Sequence, residues 1–270
     1  MYVFISLLVG FFAIGLTNMF GVGGGGVATP ALRIFLGVTP AIALGTTLPV
    51  AIPAAVAGAY TYYRHGYVSV TSAFYCCLGG LVGSVGGALL TRVVNLNYIM
   101  IATGAVVLYL AAIVERRGIT GREMKSRAPG PPGGGGAEPG PERDSRRRLF
   151  LAVGIGLAAG LLSGLLGVGG GIVLIPSFLY LLEFPLKKAF GTSLAVVAVI
   201  AVPGTIVHAF LGHISWMLAL YLVLGSIPGA YLGARISIEA HERLLYVLFG
   251  AVLFAFGTLF IVKEVLQLVA

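Results

Sequence analysis

Apolar runs of about 18 residues or more follow one another along most of this chain, and that is the length a helix needs to cross the core of a bilayer. Of 270 residues, 58% are hydrophobic and 10% charged. A soluble domain would carry roughly a quarter charged residues. In lipid, every backbone polar group must be satisfied within the protein, so the spans are expected to be helices. The fold class is therefore an all-α polytopic membrane protein, with about eight to ten hydrophobic segments.

Two stretches break that pattern. Gly21-Val22-Gly23-Gly24-Gly25-Gly26, closed by Pro30, interrupts the first apolar region, and Gly167-Val168-Gly169-Gly170-Gly171, closed by Pro176, interrupts a later one. They stand 146 residues apart, and so do many other matches without a gap. Gly10 meets Gly156, Gly45-Thr46 meets Gly191-Thr192, Gly58 meets Gly204, and Gly79, Gly83 and Gly87 meet Gly225, Gly229 and Gly233. A constant offset over roughly a hundred residues is the mark of an internal duplication. The chain thus divides into repeat 1 (1–114), a segment at 115–148, and repeat 2 (149–270). Each repeat is expected to hold a glycine-broken helical hairpin followed by three transmembrane helices.

The middle segment contains Pro129-Gly130-Pro131-Pro132 followed by four glycines, and nine of the 17 Lys and Arg residues. Such a composition cannot bury enough apolar surface to offset its ordering entropy, so a disordered tether is expected. With more than half of the Lys and Arg in that one polar stretch, the net +8 is read as an orientation signal and no sign of a nucleic-acid partner. Basic loops stay on the cytoplasmic side. If each glycine stretch is a hairpin whose arms enter from one face, every repeat crosses an odd number of times and the second copy is inverted. Fourteen Lys and Arg then share the linker's side and three lie opposite, against eleven and six for parallel copies. The inverted arrangement obeys the rule better.

Consecutive glycines allow positive φ and close approach to a ligand, and their amides can form an anion-binding nest at the positive end of the following helix. Broken helices in inverted repeats place the substrate site where the breaks meet. Gly23, Gly24, Gly25, Gly169, Gly170 and Gly171 are the expected amide donors. The competing explanation is that these glycines only let helices pack closely. No βαβ context or Lys-Ser/Thr follows, so neither copy is a nucleotide fingerprint. Thr17, Asn18, Ser163, Thr46 and Thr192 stand nearby and could complete the cage, the last two in the matched hydroxyl pairs Thr46-Thr47 and Thr192-Ser193. Their hydroxyls could equally bond back to the preceding turn. Gly79, Gly83 and Gly87, with their counterparts, form small-xxx-small faces suited to packing. His208 lies in an apolar run where ionisable groups are costly, so it is either a proton-coupling residue or a boundary histidine. The adjacent Cys76 and Cys77 point about 100° apart on a helix and suit packing better than a mutual disulfide. Val3 to Phe20 has no basic n-region and is expected to be retained. No paired acids, metal cluster or cofactor motif stands in the spans, so no enzyme activity and no cofactor is expected.

The doubled GVGGG motifs, each followed by AxGT (Ala43-Leu44-Gly45-Thr46 and Ala189-Phe190-Gly191-Thr192), resemble the TauE/SafE sulfite exporter family, also called the toluene-sulfonate uptake permease family. The resemblance covers both repeats and departs from the usual pattern in the long Gly/Pro/Arg linker. It implies a multi-pass plasma-membrane carrier of small sulfur-containing anions such as sulfite, sulfonates or sulfoacetate. The expected partners are that anion and the bilayer, with monomer and homodimer both open. A non-transporting membrane assembly factor is the alternative.

Overall fold

A computed structural model describes residues 2–93, 108, 142–167 and 169–241, and beyond them 244–245, 247–248, 250–251, 254–255, 257–258 and 261–262. All regular structure among these residues is helical. The elements are α1 (Tyr2–Met19, with a π turn at Gly10–Ile14), α2 (Gly25–Phe35), α3 (Pro40–Arg64) and α4 (Val70–Leu90). After the middle segment come α5 (Glu142–Leu166), α6 (Gly171–Tyr180), α7 (Leu186–Phe210) and α8 (Trp216–Glu239). Six of these contain a stretch long and apolar enough to cross a membrane. The other two, α2 and α6, have 11 and 10 residues and reach only about 15 Å. The expected runs at 98–114 and 244–262, and most of the tether, lie outside the described residues. The tether's last residues are described, and there α5 already begins at Glu142.

The centre of the bundle is the crossing of α3 and α7. A Cβ added at Gly58 would lie 2.9 Å from a Leu194 methyl, and one at Gly204 would lie 3.4 Å from a Leu48 methyl. As one helix advances the other retreats, so α3 and α7 run antiparallel although they occupy matching positions in the two halves.

The outer seams are built from glycine. A Cβ at Gly79, Gly83 or Gly87 of α4 would overlap the carbonyl of Val153, Leu157 or Leu161 of α5. A Cβ at Gly225, Gly229 or Gly233 of α8 would overlap that of Leu7, Phe11 or Gly15 of α1. Numbers rise together in both sets, so each pair runs parallel with its backbones in contact. Each contact also recurs 146 residues away with the halves exchanged: Gly79 on Val153 answers Gly225 on Leu7. The small-xxx-small faces are therefore these two seams. Gly83→Ala should force α4 from α5 and lower stability by about 1–3 kcal/mol. A thermal melt of the purified protein in detergent checks this.

The same contacts fix which ends of the helices lie together. Tyr67, after α3, lies against Gly191 near the start of α7, and Lys187 Nζ donates to the Ile238 carbonyl near the end of α8 at 2.7 Å. Arg64, Arg147, Arg148, Lys187, Lys188 and Arg235 thus gather at one end of the bundle, the linker end. His213 lies against Gly45 at the opposite end, where Arg92 follows α4.

Candidate functional site

Each glycine stretch turns a helix back into the bundle. α1 stops at Met19, whose carbonyl accepts a 2.9 Å hydrogen bond from the Tyr62 hydroxyl near the end of α3. The chain then climbs back along α7. Gly21 lies on Phe190, and Gly23 and Gly24 reach Val197 and Ala51, which stand midway along α7 and α3. The second break mirrors the first: Gly167 lies on Leu44, and Gly169 reaches the same Val197. Both Gly23 and Gly169 have φ +86, in the left-handed region that disfavours a side chain.

The breaks touch each other. A Cβ at Gly169 would lie 3.7 Å from the Val22 carbonyl oxygen and 3.9 Å from the Gly23 Cα. One at Gly171 would overlap that same carbonyl. Here α2 and α6 begin, and they point toward opposite ends of the bundle. The first amides of a helix lack intrahelical partners and carry its positive partial charge. Neither start has a side-chain cap. Two uncapped positive helix ends therefore sit together in buried backbone at mid-bundle.

Several of the carbonyls at the breaks are already engaged. Val22 N donates to Thr17 O at 2.9 Å, Gly21 N to Asn18 O at 3.2 Å, and Gly167 N to Ser163 O at 2.9 Å. Ser193 Oγ donates to Gly21 O at 2.8 Å, and Thr47 Oγ1 to Gly167 O at 2.9 Å. These last two bonds are one interaction made twice, each half's hydroxyl holding the other half's break. The two helix starts favour negative charge beside them.

The residues expected from sequence divide accordingly. Gly23, Gly24, Gly169 and Gly170 lie in the breaks, and Gly25 and Gly171 open α2 and α6. Thr17 Oγ1 and Asn18 Nδ2 both donate back to the Ile14 carbonyl, at 3.0 and 2.9 Å. Asn18 Oδ1 and Ser163 Oγ are fully buried and find no hydrogen-bond partner. Thr46 and Thr192 lie nearer the helix starts than Ala51 and Val197. Their hydroxyls accept from the Ser215 and Ser69 amides, each at 3.0 Å, and so hold the N-caps of α8 and α4. The hydroxyls that reach the breaks belong to the next residues, Thr47 and Ser193. Matching hydroxyls at the 146 offset were the available signal for them. His208 is fully buried, with Nε2 2.9 Å from the Gly164 carbonyl. Among the described residues no group of three or more His, Cys, Asp or Glu is placed to hold a metal.

Comparison with known proteins agrees with this architecture. Probable membrane transporter protein YunE of Bacillus subtilis (strain 168) is 26% identical over 260 residues, covering 94% of this chain and 95% of its own length. A probable membrane transporter protein of Xylella fastidiosa (strain Temecula1 / ATCC 700964) is 28% identical over 268 residues, covering 97% and 95%. YjnA of Bacillus subtilis (strain 168), also a probable membrane transporter protein, is 25% identical and covers 93% and 96%. No solved structure matches. The profile of the family described as Sulfite exporter TauE/SafE matches residues 6–260, and the chain belongs to that family.

Proposed function

We propose that the chain is a secondary transporter that moves a small sulfur oxyanion, of the sulfite, sulfonate or sulfoacetate type, by alternating access. The observation that carries this reading is the meeting of two uncapped helix starts in buried glycine backbone. Amide donors suit a tetrahedral or pyramidal oxyanion, and unwound backbone at membrane depth is tolerable where it serves a site. The starts of α2 and α6 supply the donors, and the Ser163 hydroxyl and Asn18 amide stand at the ends of the helices leading in. Thr47 and Ser193 hold the breaks in shape. The halves act as an inverted pair whose rocking about the α3–α7 crossing would open the site to each face in turn. The gathering of basic residues at the linker end supports a cytoplasmic linker.

The test is flux into proteoliposomes holding the full chain, with radiolabelled sulfite and competing methanesulfonate, sulfoacetate, sulfate and chloride. Saturable sulfite uptake that a sulfonate inhibits and chloride does not is the expected result. Folded protein that moves none of these sulfur anions would sink the reading in favour of a non-transporting assembly role.

A further inference from the structure

His208 stands where the first half has Tyr62, and both side chains bond the end of a broken helix. The Tyr62 hydroxyl donates to Met19 O, and His208 Nε2 lies 2.9 Å from Gly164 O. A carbonyl only accepts, so Nε2 of His208 carries a hydrogen. Its Nδ1 lies 3.1 Å from Nδ1 of His213, and one of those nitrogens must hold a hydrogen to make the contact. In the neutral pair that hydrogen belongs to His213, because neutral His208 carries its own on Nε2. Tyr67 takes the place of His213 in the first half, so the two-ring chain exists on one side only.

We propose that His213 and His208 form a proton relay, open at the end of the bundle opposite the linker, that loads one proton beside the second glycine break and strengthens anion binding there. The inference rests on reading the breaks as an anion site. A proton from water binds Nε2 of partly exposed His213, and the hydrogen on its Nδ1 passes to Nδ1 of His208. His213 is left neutral with its hydrogen on Nε2, and His208 becomes an imidazolium. One proton enters and none leaves. Partial burial lowers the His213 pKa from its ordinary 6.5.

The surroundings supply a reason for the coupling. Gly164 lies in the last turn of α5, where helix carbonyls carry partial negative charge and favour a cation. Among the described residues no acid is close by. The acidic residues among the described part, Glu142, Asp144, Glu183 and Glu239, all belong to the linker end. Between Phe150 and Leu166, α5 has no ionisable side chain, and α6 has only Tyr180 at its far end. On α4, Tyr75, Cys76 and Cys77 lie about two turns before Ser84, the residue beside Gly204. On α3, Tyr60, Tyr62, Tyr63 and Arg64 are at the linker end, as are Lys187 and Lys188 of α7 itself, while Arg92 beyond α4 is exposed. The transported anion, about three turns of α7 away at Val197, then offsets the buried imidazolium through space and not as a contact ion pair. Linkage makes the effect mutual, so the anion promotes proton uptake as much as the proton promotes anion binding.

The test titrates the full chain in nanodiscs from about pH 8 to about pH 5, following the histidine ring nitrogens by NMR, with and without methanesulfonate, whose charge is constant in that range. His208 and His213 should take up one proton between them, since adjacent imidazoliums repel. Methanesulfonate should raise the midpoint by about half a unit or more. His208→Tyr keeps a donor for Gly164 and should move methanesulfonate in proteoliposomes with a flat pH profile and no accompanying proton. His213→Gln should flatten the profile too. Independent uptake of two protons, or a midpoint unmoved by saturating anion, overturns the relay. So does a native pH profile in His208→Tyr. If neither the native chain nor any variant binds or moves methanesulfonate, the anion-site reading fails and the relay, which rests on it, is overturned as well; a native pH profile of flux in His208→Tyr overturns the relay alone.

Discussion

Gly23→Val should leave the protein in the membrane and remove most of its anion flux. Position 23 has φ +86, where a β-branched residue is strained by about 1–3 kcal/mol. A Cβ there would also lie 2.8 Å from Cγ1 of Val197, so the new side chain meets α7 as well. Strain that must be met whenever the site forms lowers affinity about tenfold to a hundredfold. Expression measured beside sulfite flux separates this from misfolding. Adding Val197→Ala to Gly23→Ala should recover part of the loss, because it relieves the overlap and leaves the backbone strain. Native flux in the valine variant at native expression would place the site elsewhere.

The double change Thr47→Val with Ser193→Ala should cost the most stability for the fewest atoms removed. Both hydroxyls are fully buried, and each donates to a break carbonyl of the opposite half, Thr47 sharing its one hydrogen between Gly167 O and Leu44 O. Removing one leaves a buried acceptor unsatisfied, at about 1–3 kcal/mol. The two bonds hold different breaks, so the pair should lose roughly 2–6 kcal/mol if the costs add. Thermal melts of the single and double variants measure it. A double variant no less stable than either single one would mean that the carbonyls find other donors.

Much of this was legible in the sequence because backbone contact demands glycine. Gly79, Gly83 and Gly87, like the glycines of the breaks, are positions where a Cβ has no room, and a requirement that strict leaves a visible trace. The spans were legible for a similar reason, since hydropathy and length decide them. The length of α2 and α6 was harder to read, because a short apolar run looks alike whether it crosses or stops halfway. Partners across the fold were not legible. Thr46 and Thr192 looked like site residues beside AxGT motifs, yet they hold amides 169 and 123 positions away. A hydroxyl's direction depends on which helix stands beside it, and periodicity carries no record of that. The pairing of His213 with His208 was not legible either, because it depends on how the turn after α7 folds back.

The exchanged seams also bear on how the chain is made. The first helix of each half lies along the last described helix of the other, and both apolar clusters mix residues from the two halves. Among the described residues, neither apolar cluster belongs to one half alone. During synthesis α1 must wait in the bilayer with its seam unpaired until α8 emerges, more than 200 residues later. Contacts exchanged in this way make the whole chain, and not either half, the expected folding unit.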